Sequence, residues 1–418
     1  MRSSVTPTTR WRRYAGPPLP SSASASALVL VPALILATAL ALAACGTPSA
    51  SASSHTSSST VYRFGVVGNR GKLAQLERST PTVVAGITGK VVQIATSNSD
   101  GYALTSSGNV WAWGVNAYGE LGNGTKSPYD TRAVKVTFPA GIKIVTLANP
   151  MPFDGALAID SQGHAWGWGL NAAGDLCLSG SAELRPEQLP LSRVTLATGA
   201  LTHALFESKG RVYACGSGGN GVLGNGTTAT SPTPTAVVGL PSTARVTALT
   251  SSWGDSGALF SNGAYYNWGY NAAGQLGNGS TANSDVPVQV QLPSDVRQVS
   301  QGGSGPTNGQ TVAILADGSI WAWGDNKKGQ LGDGRRANSA VPVRVSVPAG
   351  VTLLKVDSGG YSSYGIDSSG RLWAWGGNQN GQLGTGSSAP VETRPVDVGL
   401  HLTQVSSTAS NVAGLARS

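Results

Sequence analysis

The sequence predicts an all-β protein built as a β-propeller, and three observations lead to this prediction. A phrase of Trp-Gly followed by Gly-x-Leu-Gly recurs about every fifty residues. Short runs of β-forming residues alternate with Gly, Ser, Asn and Asp at spacings near ten, as antiparallel strands do. A small or polar residue plus glycine precedes each Trp-bearing run. A fixed period of this length is typical of propellers and other repeat arrays.

The recurring phrase occurs in six copies, in which the Trp or its replacement lies 55, 47, 53, 55 and 52 residues after the preceding one. These positions are Trp113, Trp168, Cys215, Trp268, Trp323 and Trp375. In the first copy the two indoles of Trp111-Ala112-Trp113 are two residues apart, so they lie on one face of a strand. The alanine between them places only a small side chain on the other face of the strand. A blade with one bulky and one slim face can pack against its neighbours around a ring.

The glycine before each Trp-bearing strand predicts a tight hairpin turn. Glycine suits such turns because it adopts positive φ without steric cost. The predicted hairpin pairs are Ser107-Gly108, Gln162-Gly163, Lys209-Gly210, Asn262-Gly263, Asp317-Gly318 and Ser369-Gly370.

Trp-Gly-x-Asn followed by Gly-Gln-Leu-Gly resembles the regulator-of-chromosome-condensation repeat. The resemblance covers residues 61–418 and implies a seven-bladed β-propeller. Six copies are complete, and the seventh is split between the two ends of this region. Residues 405–418 resemble the opening of a repeat, whereas residues 61–65 resemble its second half, with Phe64-Gly65 standing for Trp-Gly. We therefore expect the N- and C-terminal segments to close the seventh blade, which leaves no open sheet edge.

The N-terminal region predicts export and lipid anchoring. Residues 1–44 contain four arginines, no acidic residue and an apolar run over 27–44, as a secretory signal peptide does. The sequence Leu42-Ala43-Ala44-Cys45 resembles the bacterial lipoprotein box, which implies that Cys45 becomes the lipidated N-terminus at the cell membrane. An uncleaved membrane anchor is the alternative, since the run is just long enough to span. Export by the general or the twin-arginine route stays open. We expect residues 45–60, which begin with Cys45 and are rich in Ser and Ala, to form a flexible tether.

Charge and composition exclude several classes of function. The formal charge of +8 falls to +4 without the four signal arginines, and the repeats contain no Lys/Arg cluster, so we expect no nucleic-acid partner. The four histidines are far apart and no Cys-x-x-Cys pair occurs, so we expect neither a metal nor another cofactor. Acidic residues do not recur as pairs and no phosphate-binding loop is present, so we expect no catalytic residues.

Two cysteines replace residues of the repeat in adjacent copies. Cys177 stands where glycine follows the leucine, and Cys215 stands where Trp precedes Gly216. In an exported protein such a pair can form a disulfide, which we predict here. The alternative is two unpaired buried thiols.

The turn between the first and second strands of each blade differs most between copies. Copies two and five are lengthened there, and because these turns share one edge of a propeller, their side chains would converge. Aromatic and amide side chains at these turns predict a partner-binding face: Asn98, Met151, Phe153, Trp253, Asn308 and Tyr361.

These observations predict a lipid-anchored propeller outside the cytoplasm that binds an unidentified protein and catalyses nothing. The resemblance adds narrower options. Type II β-lactamase inhibitory proteins, which are similar secreted bacterial propellers, block an enzyme with one face of the ring. Other relatives are guanine nucleotide exchange factors for small GTPases. An enzyme acting on the cell envelope is the alternative from a different class.

Overall fold

A computed structural model of the chain describes residues 59–65, 78–305, 308–408 and 411–416. These residues form antiparallel strands and one short 3-10 turn at Gly219–Gly221. The strands are, in chain order, β1 Val61–Gly65, β2 Arg78–Val83, β3 Val91–Thr96, β4 Asp100–Thr105, β5 Val110–Asn116, β6 Ser127–Lys135, β7 Ile144–Leu147, β8 Gly155–Asp160, β9 Ala165–Leu170, β10 Ala182–Gln188, β11 Val194–Gly199, β12 His203–Ser208, β13 Arg211–Gly216, β14 Ser231–Ala236, β15 Val246–Ser251, β16 Asp255–Phe260, β17 Tyr265–Gly269, β18 Ser284–Gln289, β19 Val296–Gly303, β20 Gly309–Leu315, β21 Ile320–Gly324, β22 Ser339–Arg344, β23 Leu353–Ser358, β24 Ser362–Asp367, β25 Arg371–Gly377, β26 Val391–Ser407 and β27 Asn411–Ala416.

The described strands form five four-stranded sheets and one seven-stranded sheet. The larger sheet is two blades joined by the long strand β26, which pairs with β25 through residues 391–401 and with β27 through residues 402–407. Divided there, the strands make seven four-stranded units, numbered here as blades 1 to 7 from the blade that begins with β3. The first strands of most neighbouring blades contact one another, β11 contacts β8 of the preceding blade, and β26 contacts β3, so these strands surround the centre of a ring. The predicted all-β propeller is confirmed.

Blade 7 contains both ends of the described chain. Strand β1 pairs with β27 from Val61 opposite Leu415 to Gly65 opposite Asn411. Residues 402–407 then add the innermost strand on the other side of β27. Phe64 is fully buried in this blade, at the position that Trp holds in five other blades.

The glycine of each predicted hairpin adopts the conformation that the turn requires. Gly108, Gly163, Gly210, Gly263, Gly318 and Gly370 all have φ between 78° and 89°. In the first copy, the amide of Gly108 donates to the carbonyl of Thr105, which closes the turn at 2.9 Å.

In blades 2, 4, 5 and 6 a tryptophan packs against a glycine of the preceding blade. The Nε1–H of Trp168 donates to the carbonyl oxygen of Glu120 at 2.9 Å, and a Cβ on Gly122 would lie 2.9 Å from the same indole. Only glycine leaves that space, and its φ of 59° also favours glycine. The same contact recurs for Trp268, Trp323 and Trp375, with Nε1–H bonds of 2.9 to 3.0 Å.

At the junction of blades 2 and 3 both partners of this contact are cysteine. Cys177 has the left-handed φ of 54° that glycine has in the other copies, and its sulfur is bonded to that of Cys215. The Sγ of Cys215 lies 3.6 Å from the carbonyl oxygen of Asp175, which corresponds to the acceptor of the indole elsewhere. The disulfide thus occupies the place of the Trp–Gly contact.

The expectations for residues 1–58, including the signal peptide of residues 1–44 and lipidated Cys45, lie outside the described residues. Within the part of the chain that the structure describes, no helix is long and apolar enough to cross a membrane.

We expect the paired replacement Cys177→Gly and Cys215→Trp to restore the contact found at the other junctions. Its melting temperature should exceed that of a Cys177→Gly, Cys215→Ala control, which has the space but lacks the indole. Against the oxidised wild type, the control should lose about 4 kcal/mol, the loop-closure contribution of a disulfide that spans 38 residues. Equal stability of the two variants would contradict the equivalence of the contacts. Non-reducing peptide mapping of the purified protein should recover the two cysteines as one cross-linked peptide.

Ring closure gives a second prediction. Deleting residues 402–418 removes two strands of blade 7 and exposes the faces of β1 and β3, so the product should aggregate or lose its cooperative melt. Size-exclusion chromatography and differential scanning calorimetry measure this. A monomeric product that melts like the parent chain would show that closure is dispensable.

Candidate functional site

The turns between first and second strands meet at one edge of the ring and surround a cavity of about 430 Å³, its open mouth included. Every blade supplies lining residues: Asn98; Pro150, Met151 and Phe153; Gly199 to Leu201; Ser251 to Trp253; Gln301 to Gly303; Ser358 and Gly359; Ser407 and Thr408. The cavity therefore lies at the mouth of the central channel.

Phe153 and Trp253 form an aromatic pair across this mouth. Their ring centroids are 5.7 Å apart in an edge-to-face arrangement, although the residues belong to blades 2 and 4. Both side chains are half-buried. Backbone bonds fix Phe153, whose amide donates to the carbonyl of Ala200 and whose carbonyl accepts from the amide of Asn98, both at 3.1 Å. The long turn of blade 2 is thus held by blades 1 and 3.

Met151 is not the exposed anchor that the sequence predicted. It is 2% exposed and belongs to the apolar core, and its sulfur lies 3.3 Å from the amide nitrogen of Leu157. The turn folds inwards at this point, where Pro152 packs against Gly199 so closely that a Cβ on that glycine would lie 2.3 Å away. Met151 lines the floor of the cavity from within the core.

Two further predicted residues lie beside the cavity and do not line it. Asn308 is 8% exposed and its Nδ2 donates to Ser304 Oγ at 3.0 Å within the lengthened turn of blade 5. Tyr361 is half-buried, and its carbonyl accepts from the amide of Gly377 at 2.7 Å. The structure therefore brings Asn98, Met151, Phe153 and Trp253 to the cavity and leaves these two at its flank.

A layer of buried carboxyl groups that was not predicted from the sequence lies directly below the turns. Asp255 accepts from Ser252 Oγ and, at 2.8 Å, from Gln301 Nε2, and both donors line the cavity. Asp357 accepts from Ser407 Oγ at 2.5 Å. The signal was a Ser-x-x-Asp pattern at the turn, present as Ser97-Asn98-Ser99-Asp100 and Ser252-Trp253-Gly254-Asp255.

Burial controls the ionisation of these groups. It raises the pKa of Asp255 to about 7, although the hydrogen bond from Ser252 acts in the opposite direction. Burial also raises the pKa of Asp357 to about 7. The pKa of Asp100 lies well above its usual value because of burial and then the negative charge of Glu120. Asp255 and Asp357 are therefore about half protonated near neutral pH in the folded chain.

A buried Ser–His contact does not form a hydrolytic site. Ser256 Oγ lies 2.8 Å from His203 Nε2 and donates to the carbonyl of Val222 at 2.9 Å. Because that hydroxyl hydrogen is engaged, the imidazole Nε2–H is the donor to Ser256 and cannot act as its base. Both side chains are fully buried, and burial lowers the pKa of His203 to about 4. Among the described residues no group of three or more His, Cys, Asp or Glu could hold a metal ion.

Comparison with known proteins identifies the family. The family described as RCC1-like domain matches residues 60–414. The ultraviolet-B receptor UVR8 of Arabidopsis thaliana is 28% identical over 321 residues, which cover 75% of this chain and 71% of the receptor. Human E3 ubiquitin-protein ligase HERC2 is 26% identical over 74% of this chain but only 6% of the ligase. The structure of Prp20p from Saccharomyces cerevisiae, reported with its binding properties to Gsp1p and histones, has a TM-score of 0.72 at 20% identity and covers 86% of this chain and 91% of its own.

The raised pKa of Asp255 predicts a pH-dependent stability. A carboxyl group with a folded pKa of about 7 and an ordinary value of 3.8 stabilises the fold fully below about pH 4 and loses that contribution as pH rises through 7. We therefore expect the free energy of unfolding of Asp255→Asn, relative to that of wild type at the same pH, to be higher at pH 8 than at pH 5. Urea denaturation measures both.

Asp367→Asn is the matched control. Burial would raise the pKa of Asp367, but hydrogen bonds from Ser369 and Trp373 lower it to about 2. Its carboxylate thus stabilises the fold equally at pH 5 and pH 8, so this variant should lose the same free energy of unfolding at both. An Asp255→Asn effect that does not change with pH would contradict the assigned burial effect.

Proposed function

Because this chain belongs to the RCC1-like domain family, we propose that it is a binding scaffold, anchored by lipid outside the cytoplasm, that holds a protein partner at the mouth of its channel. The aromatic pair Phe153–Trp253 carries the proposal. The pair is half-exposed at a cavity to which all seven blades contribute, so a partner meets a surface fixed from every side.

The composition of the cavity supports a protein partner. Its lining combines the two aromatic side chains with small residues and the polar groups of Asn98, Ser252 and Gln301. Aromatic anchors surrounded by such groups are typical of protein interfaces. The rigid turns would lose little conformational freedom on binding, which favours affinity. UVR8 is a receptor, and Prp20p is described by its binding to Gsp1p and histones. Protein binding therefore fits the family.

The cellular place in the proposal comes from the sequence before the propeller. The apolar run of residues 27–44 ends at the lipoprotein-like box before Cys45, and two acyl chains on one residue are sufficient for stable anchoring. The partner would then be a secreted or envelope protein. If that partner is an enzyme, binding at the channel mouth would inhibit it. Metabolic labelling with a fatty acid, with Cys45→Ala as control, tests the anchor. Unlabelled wild-type protein would contradict it.

We expect replacement of Trp253 by alanine to weaken binding of the partner about thirtyfold, because loss of an interface anchor costs about 2 kcal/mol. Phe153→Ala should act in the same direction. The partner is first captured on the full chain from envelope extracts and culture supernatant, and its affinity for each variant is then measured by biolayer interferometry.

Trp321→Ala is the matched control. Trp321 is also half-buried and has its own hydrogen bond, from Nε1 to Ser319 Oγ at 2.8 Å, but it lies near the opposite edge of the ring. Loss of the edge-to-face contact should cost the Phe153 and Trp253 variants about 0.5–1.5 kcal/mol of stability. Each affinity is therefore measured at a temperature below the melting transition of the variant. If Trp321→Ala weakens binding and Trp253→Ala does not, the partner binds elsewhere.

A further inference from the structure

The two edges of the propeller carry different side chains. The turns that form the cavity lie at one edge, named here the cavity edge. The opposite edge contains the beginning of each innermost strand and the turn between the second and third strands. It is named here the hairpin edge. In blade 1, for example, the amide of Ser106 donates to the carbonyl of Lys90, which joins these two parts of the edge.

The hairpin edge is basic. Its exposed cationic side chains lie in the hairpin turns or at the beginnings of strands: Lys90, Lys143, Arg193, Lys209, Arg211, Arg245, Arg297, Lys355 and Arg371. At the same positions the exposed acidic side chains are Asp295 and Asp317. Arg371 is partly offset by Asp397, 3.7 Å away. The cationic residues come from six of the blades, so the charge is distributed around the ring.

The cavity edge differs in the distribution of its charges. The carboxyl groups of Asp100, Asp154, Asp255 and Asp357 are buried beneath its turns. The exposed cationic side chains in its turns between third and fourth strands are Lys126 of blade 1 and Lys327, Arg335 and Arg336 of blade 5, so positive charge is not distributed around this edge. The cationic residues of the hairpin edge form no cluster in the sequence because each of the six blades supplies only one to three of them, and successive blades are about fifty residues apart.

Exposed aliphatic side chains accompany the charges. Val92, Val145 and Leu354 are 41%, 48% and 56% exposed, and each is the second residue of an innermost strand. The strand pairing has an irregularity at this residue in β3, β7 and β23. Val83, which is 59% exposed, lies opposite Tyr62 at the same edge. Aliphatic groups among cations are typical of protein surfaces that contact membranes.

The chain also enters the propeller at the hairpin edge. Val61 pairs with Leu415 near the end of β27, and the amide of Val91 donates to Ser59 Oγ at 3.1 Å, next to Lys90. Residues 1–58, with the apolar run 27–44, precede this point in sequence.

We propose that the hairpin edge docks on an anionic lipid surface and that the cavity edge faces away from it. Clustered Lys and Arg are attracted to anionic headgroups, and the aliphatic side chains among them enter the interface. Docking on this edge would orient the cavity for access by a partner. The contact depends on charge and shape, and so differs from the lipidation of Cys45 and from the binding of a partner.

Lysine reactivity tests the orientation. The full chain is reconstituted in nanodiscs of phosphatidylcholine alone or with phosphatidylglycerol and treated briefly with an amine-reactive reagent, and each lysine is quantified by mass spectrometry. We expect Lys90, Lys143 and Lys209 to react about fivefold more slowly on the anionic discs. Lys126 and Lys327, exposed at the cavity edge, should react equally on both. Raising the salt to about 0.5 M should remove the difference, since it screens charges beyond a few ångströms.

Paired charge variants give an independent measurement. Neutralising Lys143, Arg193 and Arg245 to glutamine should abolish most of the protection of Lys90 and Lys209. The same change at Lys126, Lys327 and Arg335 removes equal charge from the cavity edge and should leave the protection intact. Thermal melts confirm that both variants fold.

Equal reaction of the hairpin-edge lysines on the two discs would overturn the proposal, as would equal protection at both edges. The same lysine-reactivity measurement is repeated with oligo(dT) in place of the discs, at the phosphate concentration of the anionic lipid. If the oligonucleotide protects the same lysines more strongly than the anionic discs do, the edge binds nucleic acid and the lipid assignment is wrong. None of these results depends on a captured partner, so failure here and failure of the proposed binding at the cavity can be told apart.

Discussion

The packing of one blade's indole against a glycine of the preceding blade is the contact on which the ring depends. Neighbouring blades share few backbone hydrogen bonds, so side chains must hold them together. Trp168, Trp268, Trp323 and Trp375 are fully buried, and each donates its Nε1–H to the preceding blade. Removing a buried aromatic side chain of this size typically costs about 3–5 kcal/mol. The contact needs the indole and the glycine together, which explains why Cys177 and Cys215 replace both members at the same junction.

Much of this could be predicted because the determinants are local and repeated. The positive φ of Gly108 and Gly163 follows from a turn of fixed length, and the split seventh blade follows from the partial repeats at the two ends. Replacement of repeat residues in adjacent copies likewise suggested that Cys177 and Cys215 pair, and their sulfurs are bonded in the structure. The repeat predicts positions in space, because equivalent residues of adjacent copies must lie at equivalent places on adjacent blades.

The features that escaped prediction depend on long-range packing. Met151 and Phe153 are two residues apart in one turn, yet one is in the core and the other is half-exposed, because the turn folds against blade 3. Gln93 bonds both the amide and the carbonyl of Leu147, at 2.9 and 2.8 Å, and so joins two innermost strands that are not paired. Gln298 bonds both backbone groups of Val356 in the same way. Gln404 accepts from the amide of Ile94 and donates to the carbonyl of Val92, whereas the equivalent residues of the other blades are not glutamine. No local pattern distinguishes such residues from ordinary polar ones.

The candidate site depends on the whole ring, since no single blade forms it. Phe153 is positioned by bonds to blades 1 and 3 and then contacts Trp253 of blade 4. The disulfide joins blade 2 to blade 3, the same blades that the bond between Phe153 and Ala200 connects. On the other side of the mouth, the turns of blades 5 and 6 approach so closely that a Cβ on Gly302 would lie 2.0 Å from the carbonyl oxygen of Gly359. A ring held at every junction keeps these turns at fixed separations, and a partner that contacts several of them at once therefore recognises the closed propeller and not any one repeat.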